Sequence, residues 1–248
     1  MRKTLVAIAF LVGLGGAAGL LSAGNLFAAD NELTPAEKAA GWQLLFNGHD
    51  HTGWQTNTDR PVASPIEDGS LTTQHTGGYL IVYEKEFGDF VLKCDVKMEP
   101  ICNSGVFVRV GKLRDPVQTG LEVQVANEVG TGAINQQRNG SESDGGYHDF
   151  GAIYDLVPPK KLDKPLSPEW NSIQITAKGP HLDVEVNGQH VAQLNCDEWT
   201  TPHQGPDGRR NKFSRAIKDF PRKGYLGFQD HGHKVWFKNV KLLDLTGK

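Results

Sequence analysis

The chain holds only three cysteines among 248 residues, and none of them forms a CxxC pair or a Cys/His spacing suited to zinc. That excludes a disulfide-stapled scaffold and a zinc-ribbon fold, and the odd count leaves one thiol over if any pair forms. Long basic blocks are also missing: Lys160-Lys161 and Arg209-Arg210 are the longest runs of like positive charge that stand out, and the formal net charge is -3. Nucleic acid is therefore not an expected partner. Internal repeats and long amphipathic helices are absent as well, which removes solenoids and helix bundles from consideration.

What is present begins with an address. Arg2 and Lys3 precede an apolar stretch from Leu5 to Leu21, and the small pair Ala28-Ala29 comes just before Asp30, the first acidic residue. This is the pattern of a secretory signal peptide over residues 1–29, although Phe27 stands where a small residue is preferred. No cysteine follows the run to take a lipid. The expected location is the periplasm or the medium, with no stable membrane insertion once the leader is cut, and the charge becomes -5 when Arg2 and Lys3 leave. Residues 30–40 read as a linker with a short helix: Thr34 caps, Pro35 takes the first turn, Glu37 completes a capping box and Gly41 ends it.

From Gly41 to about residue 246 the chain reads as one β domain. Short alternating segments are separated by turn residues: Trp42–Phe46, Leu71–Val82 broken at Gly77-Gly78, Asp89–Glu99, Asn171–Ala177, Leu182–Val186, His190–Leu194, Gly224–Gln229 and Lys234–Leu245. Asn187-Gly188 predicts a hairpin turn. Cys94 shares its parity with Phe90, Leu92, Val96 and Met98 and is expected in the core. The natural architecture is all-β, two antiparallel sheets packed as a sandwich. Two long stretches, Gly130–Asp149 and Cys196–Pro221, read as loops, and loops of that length are often functional.

Two further segments place polar side chains where a doubly buried strand would carry apolar ones. In Asn103–Val110, Val106, Val108 and Val110 fall on one parity and Phe107 with Arg109 on the other; in Gly120–Val125, Glu122 and Gln124 oppose Leu121, Val123 and Val125. If the strands are neighbours, a guanidinium, a carboxylate, an amide and an aromatic ring share one surface. A solvated face with a surface ion pair is the plain alternative. Trp42, Trp170 and Trp236 lie in or beside strands and are expected in the core, whereas Trp54 and Trp199 lie near turns, where their rings would be open to stack on a ligand.

In order along the chain, Leu45-Phe46-Asn47-Gly48 with Gly53-Trp54, Asn103-Ser104-Gly105-Val106 with Arg109, Gly120-x-Glu122-x-Gln124, Gly151-Ala152-Ile153-Tyr154, Glu169-Trp170-Asn171, Asn187-Gly188, and Gln229-Asp230-His231-Gly232 with Val235, Phe237 and Asn239 form an ordered set. This set resembles the 3-keto-disaccharide hydrolase domain family, over about Gly41 to Leu245. The resemblance implies a concanavalin A-like jelly roll, a carbohydrate in its concave face, and cleavage of 3-keto-glycosides in members with an assigned activity. The chain has Ala126-Asn127-Glu128 where the family often has an Asp, so that place is filled by Glu128 or another group, or stands empty.

A conventional glycosidase needs two carboxyls flanking the scissile bond, and position 124 is an amide. A 3-keto sugar offers another path: the ketone acidifies the C2 proton, a base removes it, the C1 oxygen leaves, and water adds. Glu122 or His231 is the candidate base, the other protonating the leaving oxygen; Arg109 would stabilise the enolate, with Gln124, Tyr154, Asn103 and Gln229 as substrate contacts. The expected partner is an oxidised mono- or disaccharide or glycoside. No cofactor is expected; a divalent metal would have His231 and His233 as ligands, with no evident third. His148-Asp149 in the long loop is a further candidate, with a solvent-exposed pair as the plainer reading. The alternatives are a non-catalytic carbohydrate-binding module of the same fold, or an envelope interaction domain.

Overall fold

The computed structural model describes residues 29–127 and 146–247. The leader through residue 28, Glu128 and Asn139-Gly140-Ser141, which matches a glycosylation sequon, lie outside the described residues. The short helix α1 (Pro35–Ala40) is capped as expected: the Thr34 hydroxyl accepts from Glu37 N, Glu37 returns the bond to Thr34 N, and Gly41 closes the helix at φ +87°.

The strands, in chain order, are β1 (Trp42–Leu44), β2 (Trp54–Thr56), β3 (Ile66–Glu67), β4 (Ser70–Thr72), β5 (Leu80–Tyr83), β6 (Phe90–Met98) and β7 (Cys102–Val110). They continue with β8 (Leu121–Asn127), β9 (Asn171–Lys178), β10 (His181–Val186), β11 (Gln189–Asn195), β12 (Tyr225–Gln229) and β13 (Val235–Asp244). Among the described residues they form two antiparallel sheets. The larger runs β11-β10-β9-β6-β13-β4-β3 with β1 added to β13, and the smaller runs β2-β5-β12-β7-β8. The β9-β10 and β10-β11 hairpins follow from local chemistry, Asn187 and Gly188 both adopting positive φ at the second turn. β3-β4 and β7-β8 are also sequential neighbours, and the crossings between sheets give an order consistent with a jelly roll.

The core sits between the sheets. Alternation on β6 sends Phe90, Leu92, Cys94, Val96 and Met98 inward, where they meet Val106, Val108, Leu121, Val123 and Val125 from the smaller sheet. Phe228 of β12 stacks on Phe237 of β13 at 4.0 Å between centroids and on Trp54 at 5.4 Å, so one aromatic column spans both layers. Cys94 and Cys196 are buried free thiols, and burial pushes both pKa values up.

The tryptophans reverse their expected places. Trp54 and Trp199 are core residues, and the Trp54 indole N–H donates to Leu45 O at 2.7 Å. Trp42, Trp170 and Trp236 are half-buried on the outer face of the larger sheet, where Lys93, Lys97 and Lys238 lie over their rings. Parity explains Trp236: its neighbours Val235 and Phe237 both point into the core.

Candidate active site

The outer face of the smaller sheet carries two kinds of surface. Leu80, Val82, Phe107 and Val110 form a second, separate apolar cluster flanked by Tyr79, Leu113, Val117 and Tyr225. Beside it, β7 and β8 pair in a register that sets Glu122 opposite Phe107 and Gln124 opposite Gly105. Glu122, Gln124 and Phe107 therefore share a face, as their alternation predicts.

Arg109 does not join them. A bulge lies where β7 meets β12, two residues from Tyr225 to Gly227 spanning three from Val110 to Phe107, and Arg109 takes φ +52° there. The extra residue flips the parity. Val110 emerges on the outer face with Phe107, and the Arg109 side chain turns beneath the sheet. Its guanidinium donates to Gly88 O at 3.0 Å, Gly179 O at 2.8 Å and Asp89 Oδ1 at 3.0 Å. All three acceptors belong to turns of the larger sheet. Arg109 thus ties the two layers together and leaves no donor for an enolate above the opposite face, which corrects the expected surface.

Glu122 lies flat over Gly105. A Cβ at position 105 would stand 2.8 Å from Glu122 Cγ and closer still to Oε1, so glycine is what makes room for the carboxyl. The side chain is 6% exposed. Burial pushes its pKa up to about 7, against the opposing influence of Lys212 and His148. On the same face Gln124 Nε2 donates to Asn103 Oδ1 at 2.9 Å, and Gln229 Nε2 donates to the Tyr79 hydroxyl. Each glutamine spends one end of its amide internally. The other end, Oε1 in both, is buried with no partner among the described residues. Buried polar atoms are rarely left so, and these two lie on the same face of the smaller sheet, on the strands either side of β7. Tyr79 stays protonated, its pKa pushed up to about 12 by burial and by the nearby Glu122 charge.

One wall of the hollow around Glu122 is built on the free edge of β8. Gln124 N donates to Ala152 O, Gly151 N to Gln124 O and Tyr154 N to Glu122 O, each at 2.9 Å, so the segment around Gly151–Tyr154 covers that edge. It brings the His148 and Tyr154 rings together in a stack 4.3 Å between centroids. Asp155 then fastens this wall to the second long loop. Its carboxylate accepts from Arg209 at 3.0 Å and from Lys212 N at 2.6 Å, and His148 Nε2 lies 3.8 Å away. Burial alone would raise the Asp155 pKa; His148, the Lys212 N–H and Arg209 hold it below the usual range.

The second loop delivers Lys212. Its Nζ lies 3.8 Å from Glu122 Oε2 and 3.7 Å from the Tyr154 ring centroid. Burial lowers its pKa, opposed by Glu122 and Asp155. Lys212 escaped the sequence reading, and so did Tyr79 and Asp155; His148 is not the solvent pair it was expected to be. Only the length of the two loops signalled that they carry site residues.

His231 stands apart. It is exposed in a turn built by Asp230, whose carboxylate accepts from Thr76 N, Thr76 Oγ and Gly232 N. Its ring lies parallel to that of His233 at 6.4 Å, and His233 Nδ1 accepts from Asn103 N at 3.3 Å. The turn therefore meets the hollow through Asn103, and among the described residues no hydrogen bond or ion pair joins His231 to Glu122. Among the same residues no group of three or more His, Cys, Asp or Glu side chains is arranged to hold a metal ion. No helix among them is long and apolar enough to cross a membrane.

Comparison with known proteins places the chain in a family. A family model described as the 3-keto-alpha-glucoside-1,2-lyase-like domain matches residues 41–243. A Bacteroides thetaiotaomicron protein named 3-keto-disaccharide hydrolase is 24% identical over 231 residues, covering 83% of this chain and 80% of that one. A solved structure from Parabacteroides distasonis, provisionally named a glycosyl hydrolase, is similar with TM-score 0.68 and 31% identity over 88% of this chain and all of the other. A second structure from that organism, with the same provisional name, has TM-score 0.66 and 27% identity, covering 82% of this chain and 99% of its own. The chain thus belongs to the 3-keto-alpha-glucoside-1,2-lyase-like domain family.

Proposed function

We propose that the protein is an exported hydrolase that cleaves 3-keto-glycosides in the polar hollow on the smaller sheet. The observation that carries this reading is Glu122: a buried carboxyl with a pKa near neutrality, set among hydroxyl and amide groups. A base that removes a carbon-bound proton works best when its pKa lies near the working pH. Position 124 supplies an amide in place of a second carboxyl, which argues for the elimination path over a paired-carboxylate displacement.

In this reading Glu122 takes the C2 proton of the oxidised ring. The electron pair passes toward the C3 oxygen, and the C1 oxygen then departs with the aglycone. Water adds at C1 and completes a net hydrolysis. Gln124, Gln229, Asn103 and Tyr154 hold the ring hydroxyls. His148, whose charge reaches Glu122 and which is clasped by Asp155, takes over from His231 as the donor to the leaving oxygen. Export rests on the Arg2-Lys3 start, the Leu5–Leu21 run and Ala28-Ala29.

The test is a comparison of matched substrates. The protein should free the aglycone from a 3-keto-glucoside and leave the unoxidised glucoside intact, and Glu122→Gln should abolish release while keeping the fold. Binding of the 3-keto-glucoside with no turnover by the wild type would instead support a carbohydrate-binding module.

A further inference from the structure

Removing the C2 proton transfers negative charge from Glu122 to the C3 oxygen, and a site that does this needs positive charge fixed near both. Arg109 cannot provide it, because its donors are spent on Gly88, Asp89 and Gly179 across the sandwich. Arg209 is likewise spent, on the Asp155 carboxylate and carbonyl and on the Tyr147 ring. Lys212 is different. Its backbone is pinned at both ends, N–H to Asp155 Oδ2 at 2.6 Å and carbonyl from Gln118 Nε2 at 3.1 Å, so its direction is set. Tyr154 and Phe213 flank its ammonium end.

The spacing matters. Nζ is 3.8 Å from Glu122 Oε2, close enough for strong attraction and too far for a hydrogen bond. Among the described residues no hydrogen bond uses the Lys212 ammonium hydrogens; its neighbours are the Glu122 carboxylate and the Tyr154 ring. A base oxygen and an ammonium separated by this distance match a C–H and a C=O on adjacent carbon atoms. We propose that Lys212 is a catalytic residue that donates from its ammonium to the C3 oxygen while Glu122 takes the C2 proton, and that this pair selects a ring with a ketone next to the carbon that loses its proton. The proton moves from C2 to the carboxylate, the C2–H electron pair becomes the C2–C3 double bond of the enolate, and the carbonyl pair moves onto the oxygen held by Lys212. When the C1–O bond breaks, the enolate pair returns to form the C1–C2 double bond of the enone, and the aglycone oxygen leaves with a proton from the acid. No oxidant or reductant enters.

This inference rests on the reading given under Proposed function, and the experiment separates the two. Steady-state rates on a 3-keto-glucoside are measured across the neutral pH range for the wild type, Lys212→Met and Lys212→Arg, with melting temperatures alongside. Lys212→Met should lose on the order of 100-fold in kcat with little change in KM, and Lys212→Arg should recover part of it. The acid limb of the profile should move to higher pH in Lys212→Met, because a charge that held the Glu122 pKa down is gone; a residue that merely packed the loop would not move it. If Lys212→Met fails to fold, Lys212→Gln is measured in its place. A neutral variant with wild-type kcat, or with an unmoved acid limb, overturns the role of Lys212 and leaves the hydrolase reading standing. A covalent adduct on Lys212 after cyanoborohydride treatment with the same substrate also overturns it, because the nitrogen would then act as a nucleophile. No turnover by the wild type overturns both.

Discussion

The Glu122 carboxyl rests on the bare backbone of Gly105, one strand away and one register step along. A buried carboxyl is held here by the absence of a side chain. Gly105→Ala should place a methyl against Glu122 Cγ and Cδ and push the carboxyl out of line. The expected cost is about 1–2 kcal/mol in stability and a much larger loss in kcat. Gly227→Ala is the control, because its added methyl meets the Ile81 carbonyl, which is backbone and cannot swing aside. That variant should lose stability first. Melting curves and rates on both variants check the contrast.

Glu122 also makes stability depend on pH in a definite direction. It holds its proton more tightly folded than unfolded, about 7 against 4.5. Its contribution is therefore complete below the unfolded value and is lost as pH rises through about 7. The most this group can contribute is about 3 kcal/mol. Glu122→Gln carries no such charge, so its melting temperature relative to wild type should climb between mildly acidic and mildly alkaline buffer. Activity runs the other way: the wild-type rate should rise through the same interval, as the carboxylate form of the base appears.

Arg109 separates a structural from a functional reading of one motif. Arg109→Met removes three donors, leaving the Gly88 and Gly179 carbonyls without theirs and Asp89 with the Gly179 N–H alone. The loss should be about 3 kcal/mol of stability, read from denaturant unfolding. Rates on the folded fraction should stay near wild type, since the side chain lies on the far side of the sheet from Glu122.

Asp155 is the fastening between the two loops, and Asp155→Ala should release Arg209, His148 and the Lys212 backbone together. Turnover should fall strongly while the sandwich keeps most of its melting temperature. Trp170→Ala, on the outer face of the other sheet, should leave turnover unchanged.

The strands and the Glu122, Gln124 and Phe107 face were legible because alternation is a short-range property and β8 runs without a fault. The same rule failed on β7. A bulge at Arg109 costs one residue of parity, and a non-glycine residue at positive φ inside an apolar alternation has no local signature. Trp236 was misplaced for an avoidable reason, since the parity of Val235 and Phe237 already put it outside. His148 was a candidate from the long loop, read as more exposed than it is, whereas Lys212 and Asp155 carried no local signal. They lie tens of residues from β8 along the chain, and only the tertiary clasp at Asp155 brings them to Glu122.

The most direct measurement is solvent-hydrogen incorporation at C2. A 3-keto-glucoside is turned over in deuterium oxide, and the released 3-keto sugar is read by NMR early enough that the uncatalysed background is small. Removal of the C2 proton by Glu122 predicts deuterium at C2 with the wild type and none above background with Glu122→Gln. Aglycone release with C2 hydrogen retained, or undiminished labelling by the variant, would contradict it.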